Sequence, residues 1–205
     1  MLEAFVFNEI AIIVRHWFEI GPDDNEHGTR IEIRRLVSHE HRGSDSAPQL
    51  IEIDDIIWRA DLFDSLSDKP GNFARAHHHV HFDGIEPVNR DWDDRLSADP
   101  FGWLEQQLDA LPELLSASGA ALEDHEAETA DVRRHLPAIM SAARRCAAAE
   151  CTSPQQCAGQ TRDTTEIIAM QASLFRSDSP GGPRDPRDQP AAVAQPSRAS
   201  APRRP

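Results

Sequence analysis

From Ile10 to Ile20 the chain reads IAIIVRHWFEI, and Ile12, Val14, Phe18 and Ile20 fall on one parity of an extended strand. The segment GPDDNEHGT supplies turn residues, after which RIEIRRLV alternates again, with Ile31 and Ile33 opposite Arg30, Glu32 and Arg34. Together they predict a β-hairpin. A second polar loop, SHEHRGSDSAP, precedes QLIEIDDIIWRADLF, which reads as one long strand or as two collinear ones with a bulge at Asp54 and Asp55. In its second half Trp58, Ala60 and Leu62 form an apolar set, which leaves Arg59 and Asp61 on the other face. The loop SLSDKPGN then leads into ARAHHHVHFDGIEP, residues 74–87.

From Ser97 the period changes from two to 3.6. Asp99 caps a helix with Pro100 in its first position, and Phe101, Leu104, Leu108, Leu111 and Leu115 follow at intervals of three or four, forming one amphipathic face to pack on the sheet. Pro112 is placed to kink or end this helix, and Gly119 stands where a helix would stop. DVRRHLPAIMSAARRCAAAEC is helical in composition on either side of Pro137, and Asp163 with Glu166 makes a capping pair before IIAMQASLF. The expected fold is α+β: an antiparallel sheet of four or five strands covered by the amphipathic helix. That domain spans residues 1–118, a helical extension 119–175 follows, and the Pro/Arg-rich stretch 176–205 has almost nothing to bury and is expected to be disordered.

Charge narrows the function classes. The formal net charge is -14, and because residues 176–205 contain six arginines and three aspartates, the preceding part carries -17. A body of that sign repels phosphate backbones and argues against a broad nucleic-acid surface. No run of eighteen apolar residues occurs, and the first ten residues contain two glutamates and no basic residue, so neither a membrane span nor a secretory signal is expected and the cytoplasm is the default compartment. The cysteines, Cys146, Cys151 and Cys157, are spaced C-x4-C and C-x5-C, unlike the C-x2-C knuckles of structural zinc sites, and read as free thiols.

The candidate chemistry lies at HHHVH, which puts four of the ten histidines into residues 77–81. In an extended chain Ala76, His78, Val80 and Phe82 share the face expected to meet the core, and His77, His79 and His81 lie in a row on the other, successive members about 6–7 Å apart. Two neutral imidazoles at i and i+2 can bind a Zn, Ni, Mn or Fe ion if a carboxylate or third nitrogen comes from a neighbouring strand. The candidate metal ligands are therefore His77, His79 and His81, with a divalent metal as the cofactor. If the WRADLF strand pairs antiparallel with the histidine segment, Arg59 and Asp61 reach the same face, and an arginine beside imidazoles suits a phosphate or carboxylate. Arg59, Asp61, His79 and His81 are then the catalytic candidates for acid–base work on a phosphodiester. The plainer reading makes the histidines polar decoration on a wet sheet face. His39 and His41 form a second H-x-H, in a loop, with a weaker claim.

The strand RIEIRRLV, the arginine–acid step in WRADLF and the cluster HHHVH before a helix resemble the TumE family of small bacterial toxin components over residues 10 to 110. Arg59, Asp61, His79 and His81 are the positions that match the motif. The resemblance implies a toxin acting on RNA and neutralised by an antitoxin-like protein partner. HVHFDGIE and GNFARAHHH also look like pieces of a cupin's first metal motif, through His79, His81 and Glu86 or through Gly71, His77 and His79. A third reading is a non-enzymatic interaction module, an acidic α+β body that binds a basic partner.

Overall fold

The computed structural model describes residues 1–20, 24–39 and 50–149. Five antiparallel strands form one sheet in sequence order: β1 (Leu2–Val6), β2 (Ile10–Ile20), β3 (Asn25–Ser38), β4 (Ile51–Ser65) and β5 (His77–His79). A small hairpin follows, β6 (Phe82–Asp83) with β7 (Glu86–Pro87). Four helices come next, α1 (Asp94–Ala98), α2 (Pro100–Asp109), α3 (Leu111–Ala117) and α4 (His125–Ala147). The fold is the expected α+β arrangement with five strands. The alternation of β2, β3 and β4 is realised for Ile12, Val14, Ile31, Ile33 and Trp58, with Ile12 opposite Ile33 and Ile33 opposite Trp58 across the ladders, but it fades at the end of β2, where Phe18 is only half-buried and Ile20 is exposed. The register of β3 against β4 shifts between Ile33 and Leu36, so β4 carries extra residues around Asp54, Asp55 and Ile57, a bulge at the place where two acidic residues interrupt the pattern. Arg34 Nε donates to the Asp54 carbonyl within this irregularity, at 3.0 Å.

Strand β1 carried no expectation. Its five residues, LEAFV, are all only half-buried, so neither face of this edge strand shows a sharp alternation. It is held instead from outside the sheet: the Glu128 carboxylate accepts from the backbone N–H groups of Asn8, Glu9 and Ile10, which form the turn into β2.

One face of the sheet packs under the helices. Ile10, Ile12, Val14, Ile31, Ile33, Trp58, Ala60 and Leu62 meet Leu104 and Leu108 of α2, Leu111 and Leu115 of α3, and Val132, Ile139 and Met140 of α4 in a single core. Trp58 stacks on Trp103 with ring centroids 6.0 Å apart. Asp99 caps α2 by accepting from Gly102 N–H at 3.0 Å. The chain breaks at Ala110, because Pro112 has no N–H to return to the carbonyl four residues back, and α3 starts afresh with that proline in its first turn. Pro137, by contrast, lies inside a helix that continues past it. Helix α4 belongs to the same core as residues 1–118, with the Thr29 hydroxyl donating to the Ala143 carbonyl at 2.8 Å. The helix expected near Asp163 and Glu166, the tail at 176–205, Cys151, Cys157 and His41 lie outside the described residues. Among the described residues no helix is long and apolar enough to cross a membrane.

Phe82 departs from its expected face. Strand β5 ends at His79, the chain turns, and the parity of the histidine run does not carry through to residue 82. The half-buried Phe82 ring lies against His79 and under the Arg59 guanidinium, on the side of the sheet opposite Trp58.

Candidate functional site

The site is built on the second face of the sheet by three adjacent strands. Antiparallel pairing of β4 with β5 sets Arg59 opposite His79 and Asp61 opposite His77, and pairing of β3 with β4 sets Arg30 opposite Asp61 and Glu32 opposite Arg59. All these side chains project to the same side, since cross-strand partners share a face. Around Asp61 the face is not wet. Asp61, His77 and His79 are completely buried, Glu32 and Arg30 nearly so, and Arg59 is 9% exposed. The Phe63 edge and the Trp92 ring pack against His77, and Phe82 lies beside His79.

Asp61 is the hub. Arg30 grips its carboxylate with both arms of the guanidinium, Nε to Oδ1 at 2.6 Å and Nη2 to Oδ2 at 3.0 Å, the bidentate geometry that makes such pairs strong. Arg59 Nε lies 3.1 Å from Oδ2, and the Nε2 atoms of His77 and His79 lie 3.4 and 3.5 Å from the same oxygen. Burial alone would raise the Asp61 pKa, but the charge of Arg30, its two-armed hydrogen bond and the charge of Arg59 hold it well below the usual carboxylate range. Asp61 is therefore an anion, compensated on the spot.

The histidine tautomers follow from their partners. His77 Nδ1 contacts the Arg75 carbonyl at 2.7 Å and His79 Nδ1 contacts the Asn89 carbonyl, and a carbonyl can only accept, so both Nδ1 atoms carry the proton. In the neutral rings Nε2 carries the lone pair, and both Nε2 atoms lie close to Asp61 Oδ2. His79 Nε2 is served by Arg59 Nη2 at 2.9 Å, whereas His77 Nε2 is buried without a hydrogen-bond partner. Burial pulls the His77 imidazole below its ordinary value in spite of Asp61, and the contact from the Arg59 guanidinium, which can only donate, makes His79 Nε2 an acceptor. One ligand atom from each of Asp61, His77 and His79 lies within 4.8 Å of the others.

His81 does not join them. It is exposed beyond the end of β5, so the expected row of three imidazoles is a pair. His78 turns to the core face between Trp58 and Trp103, as its parity required. His39 pairs with Glu52 on the surface, Nε2 to Oε2 at 2.9 Å, far along the ribbon from the cluster. Cys146 is buried and free, with its thiol pushed up to about 11 by burial.

Arg30 is the residue that sequence reasoning missed as part of the site. Its position in β3 is on the polar parity, but its role depends on which β4 residue stands across from it. The cleft next to the cluster was equally invisible. It has a volume of about 880 Å³ and runs along β2, β3 and β4 to the 85–90 loop, with His79 and Arg59 in its wall and Arg15, Arg30, Arg34 and Arg90 around them. Trp17, also in this wall, has the guanidinium carbons of Arg15 and Arg30 each 4.4 Å from its ring centroid. Comparison of the chain with protein-family models, curated proteins and solved structures yields no match.

Proposed function

We propose that the chain binds a divalent transition metal through Asp61, His77 and His79, and that this centre serves hydrolytic chemistry on an anionic substrate in the adjoining cleft. The observation that carries the reading is the pair of Nε2 to Oδ2 separations, 3.4 and 3.5 Å. Ligands held at 2.0–2.2 Å around a tetrahedral ion stand about 3.3–3.5 Å from one another. Both imidazoles are already oriented by carbonyls on Nδ1, the outer-shell arrangement that fixes a metal-binding tautomer. The unpartnered Nε2 of His77 gains a cation to face, which relieves the opposition of its lone pair to an anionic oxygen. Two nitrogens and one carboxylate favour Zn, Fe, Ni or Mn over Mg or Ca. A metal so placed would supply Lewis acidity, with the remaining coordination positions left to water or substrate.

Purified without a histidine tag and loaded with Zn²⁺ or Co²⁺, the protein should bind one ion per chain and melt at a higher temperature. His77→Ala and His79→Ala should each abolish both effects. Loading at or near zero in a folded wild-type protein would refute the proposal.

The arginines of the cleft favour a phosphate ester as the substrate, and this is the point at which the TumE resemblance bears on function. A toxin that cleaves RNA would use Arg59 and its neighbours to hold the phosphodiester, with an antitoxin-like protein covering the cleft. Induced expression of the wild-type chain should then arrest growth, and the His79→Ala chain should not. Unimpeded growth with wild type, together with a loaded metal, leaves the metal centre standing without the toxin.

A further inference from the structure

Arg59 holds the place that the metal would need. Its Nη2 donates to His79 Nε2 at 2.9 Å, and its Nε lies 3.1 Å from Asp61 Oδ2, so one guanidinium contacts two of the three ligand atoms. It is also less well satisfied than Arg30. Where Arg30 makes a two-armed bond to Asp61 and a third contact to Glu19, Arg59 Nε is buried without a hydrogen bond. Nearby carboxylates offer Arg59 no easy alternative. Glu32, its cross-strand neighbour, already accepts from Arg15 at 2.7 Å and Arg34 at 3.5 Å, and Glu19 accepts from Arg30 and Arg90.

An arginine displaced from the cluster therefore needs an acceptor from outside the chain, and Arg59 borders the cleft where one could arrive. Five arginines and three glutamates line that cleft, and even with Asp61 set against Arg30 and Arg59 the positive charges outnumber the negative there, in a chain of net charge -14. A second buried donor without a partner, Arg15 Nε, belongs to the same lining. We propose that the cleft binds an oxyanion of the phosphate class through Arg59, with Arg15 beside it, and that Arg59 couples this anion to the metal. This rests on the metal reading above. When the anion draws Arg59 away, His79 Nε2 and the side of Asp61 Oδ2 not taken by Arg30 become available to the ion; when the ion enters, Arg59 is released to the anion. Each ligand thereby raises affinity for the other by the same factor, and the opposite charges of ion and anion act in the same direction.

The test is the Co²⁺ affinity of the untagged protein, read from its visible absorption, with and without sulfate at constant ionic strength. Sulfate should tighten Co²⁺ binding by about 5- to 100-fold in wild type. Arg59→Met should bind Co²⁺ more tightly than wild type without sulfate, and sulfate should then change its affinity by less than about threefold. Because that variant replaces a buried charge and could fail to fold, wild type is also measured in reverse: saturating Co²⁺ should lower the sulfate concentration needed for half-maximal thermal stabilisation by the same factor. Co²⁺ affinity in wild type that is indifferent to sulfate overturns the coupling and leaves the metal centre intact. No Co²⁺ binding by either protein overturns both. Stronger coupling with phenyl phosphate than with sulfate assigns the natural anion to a phosphate ester, and equal coupling assigns it to the free ion.

Discussion

Both faces of the sheet bury side chains from water, by opposite means. Under the helices, Ile10, Ile12, Val14, Ile31, Ile33 and Trp58 are buried as hydrocarbon against hydrocarbon, where area removed from water supplies the stabilisation. On the other face Arg30, Glu32, Asp61, His77 and His79 are buried almost as deeply, but as charges and imidazoles answered by one another. Desolvating such groups costs roughly what their pairing returns, so a network of this kind is weak support for stability compared with packed apolar residues of the same volume. Identical backbone geometry thus carries a structural face and a face whose composition stability alone does not explain. That asymmetry is why the second face is read as the site.

The largest effect should come from the apolar face. Trp58→Ala removes a side chain that is 1% exposed and stacked on Trp103, and should cost about 3–5 kcal/mol in urea denaturation. A loss under about 1 kcal/mol would mean that this face is not the core.

Next comes the charged face, where single and paired replacements should diverge. Asp61→Leu leaves Arg30 and Arg59 buried without their shared anion and should cost about 3–4 kcal/mol. Adding Arg30→Met to that variant removes one of the stranded cations and should recover more than half of the loss, because the interaction is mutual rather than additive. Equal costs in the single and the double variant would show that Asp61 and Arg30 are not coupled as the 2.6 Å contact requires.

A third effect separates the faces by pH. His16, on the helix side, has a pKa lowered to about 4 by burial first and then by the charges of His27 and the N-terminus. The folded protein keeps the ring neutral while the unfolded chain protonates it near 6.5, so its contribution is complete above that value and is lost as the pH falls toward 4. By linkage the loss is at most about 3 kcal/mol. His77 and His78 are also lowered, so the measurement is a difference: the stability drop from pH 7 to 4.5 should be smaller by about 2 kcal/mol in His16→Gln than in wild type. Identical drops in both proteins would remove His16 as a source of acid sensitivity.

How much of this was legible depends on the face. Apolar alternation identifies Ile12, Val14, Ile31, Ile33 and Trp58 as inward without any knowledge of their partners, because burial of hydrocarbon needs only a common side. Arg59, Asp61, His77 and His79 also come together by parity once the two strands pair antiparallel, as β4 and β5 do. What parity could not supply was depth: polar alternation reads as a wet face, and the burial of this one depends on the 80–92 segment and its aromatic rings folding over it. Nor could it supply Arg30, whose pairing with Asp61 depends on a register set by the whole length of β3 against β4. The cleft is more remote still, for it exists only where the wall of the sheet meets the 85–90 loop.

The smallest effect sharpens the same boundary at its edge. His81 has the right parity to extend the row of His77 and His79, and in a longer β5 it would be a third ligand. The strand instead ends at His79, and Val88 N–H donates to the His81 carbonyl at 3.0 Å, so its backbone belongs to the turn around the β6–β7 hairpin and its side chain lies in solvent. His81→Ala should therefore change stability by less than about 0.5 kcal/mol, as exposed substitutions do. It should also leave Co²⁺ stoichiometry and affinity within about twofold of wild type, while His77→Ala abolishes binding, since only the inner pair has its Nδ1 atoms fixed by carbonyls. Loss of the metal on replacing His81 would mean that β5 extends past His79 when the ion is bound, and the centre would then be a row of imidazoles rather than two of them closed by Asp61.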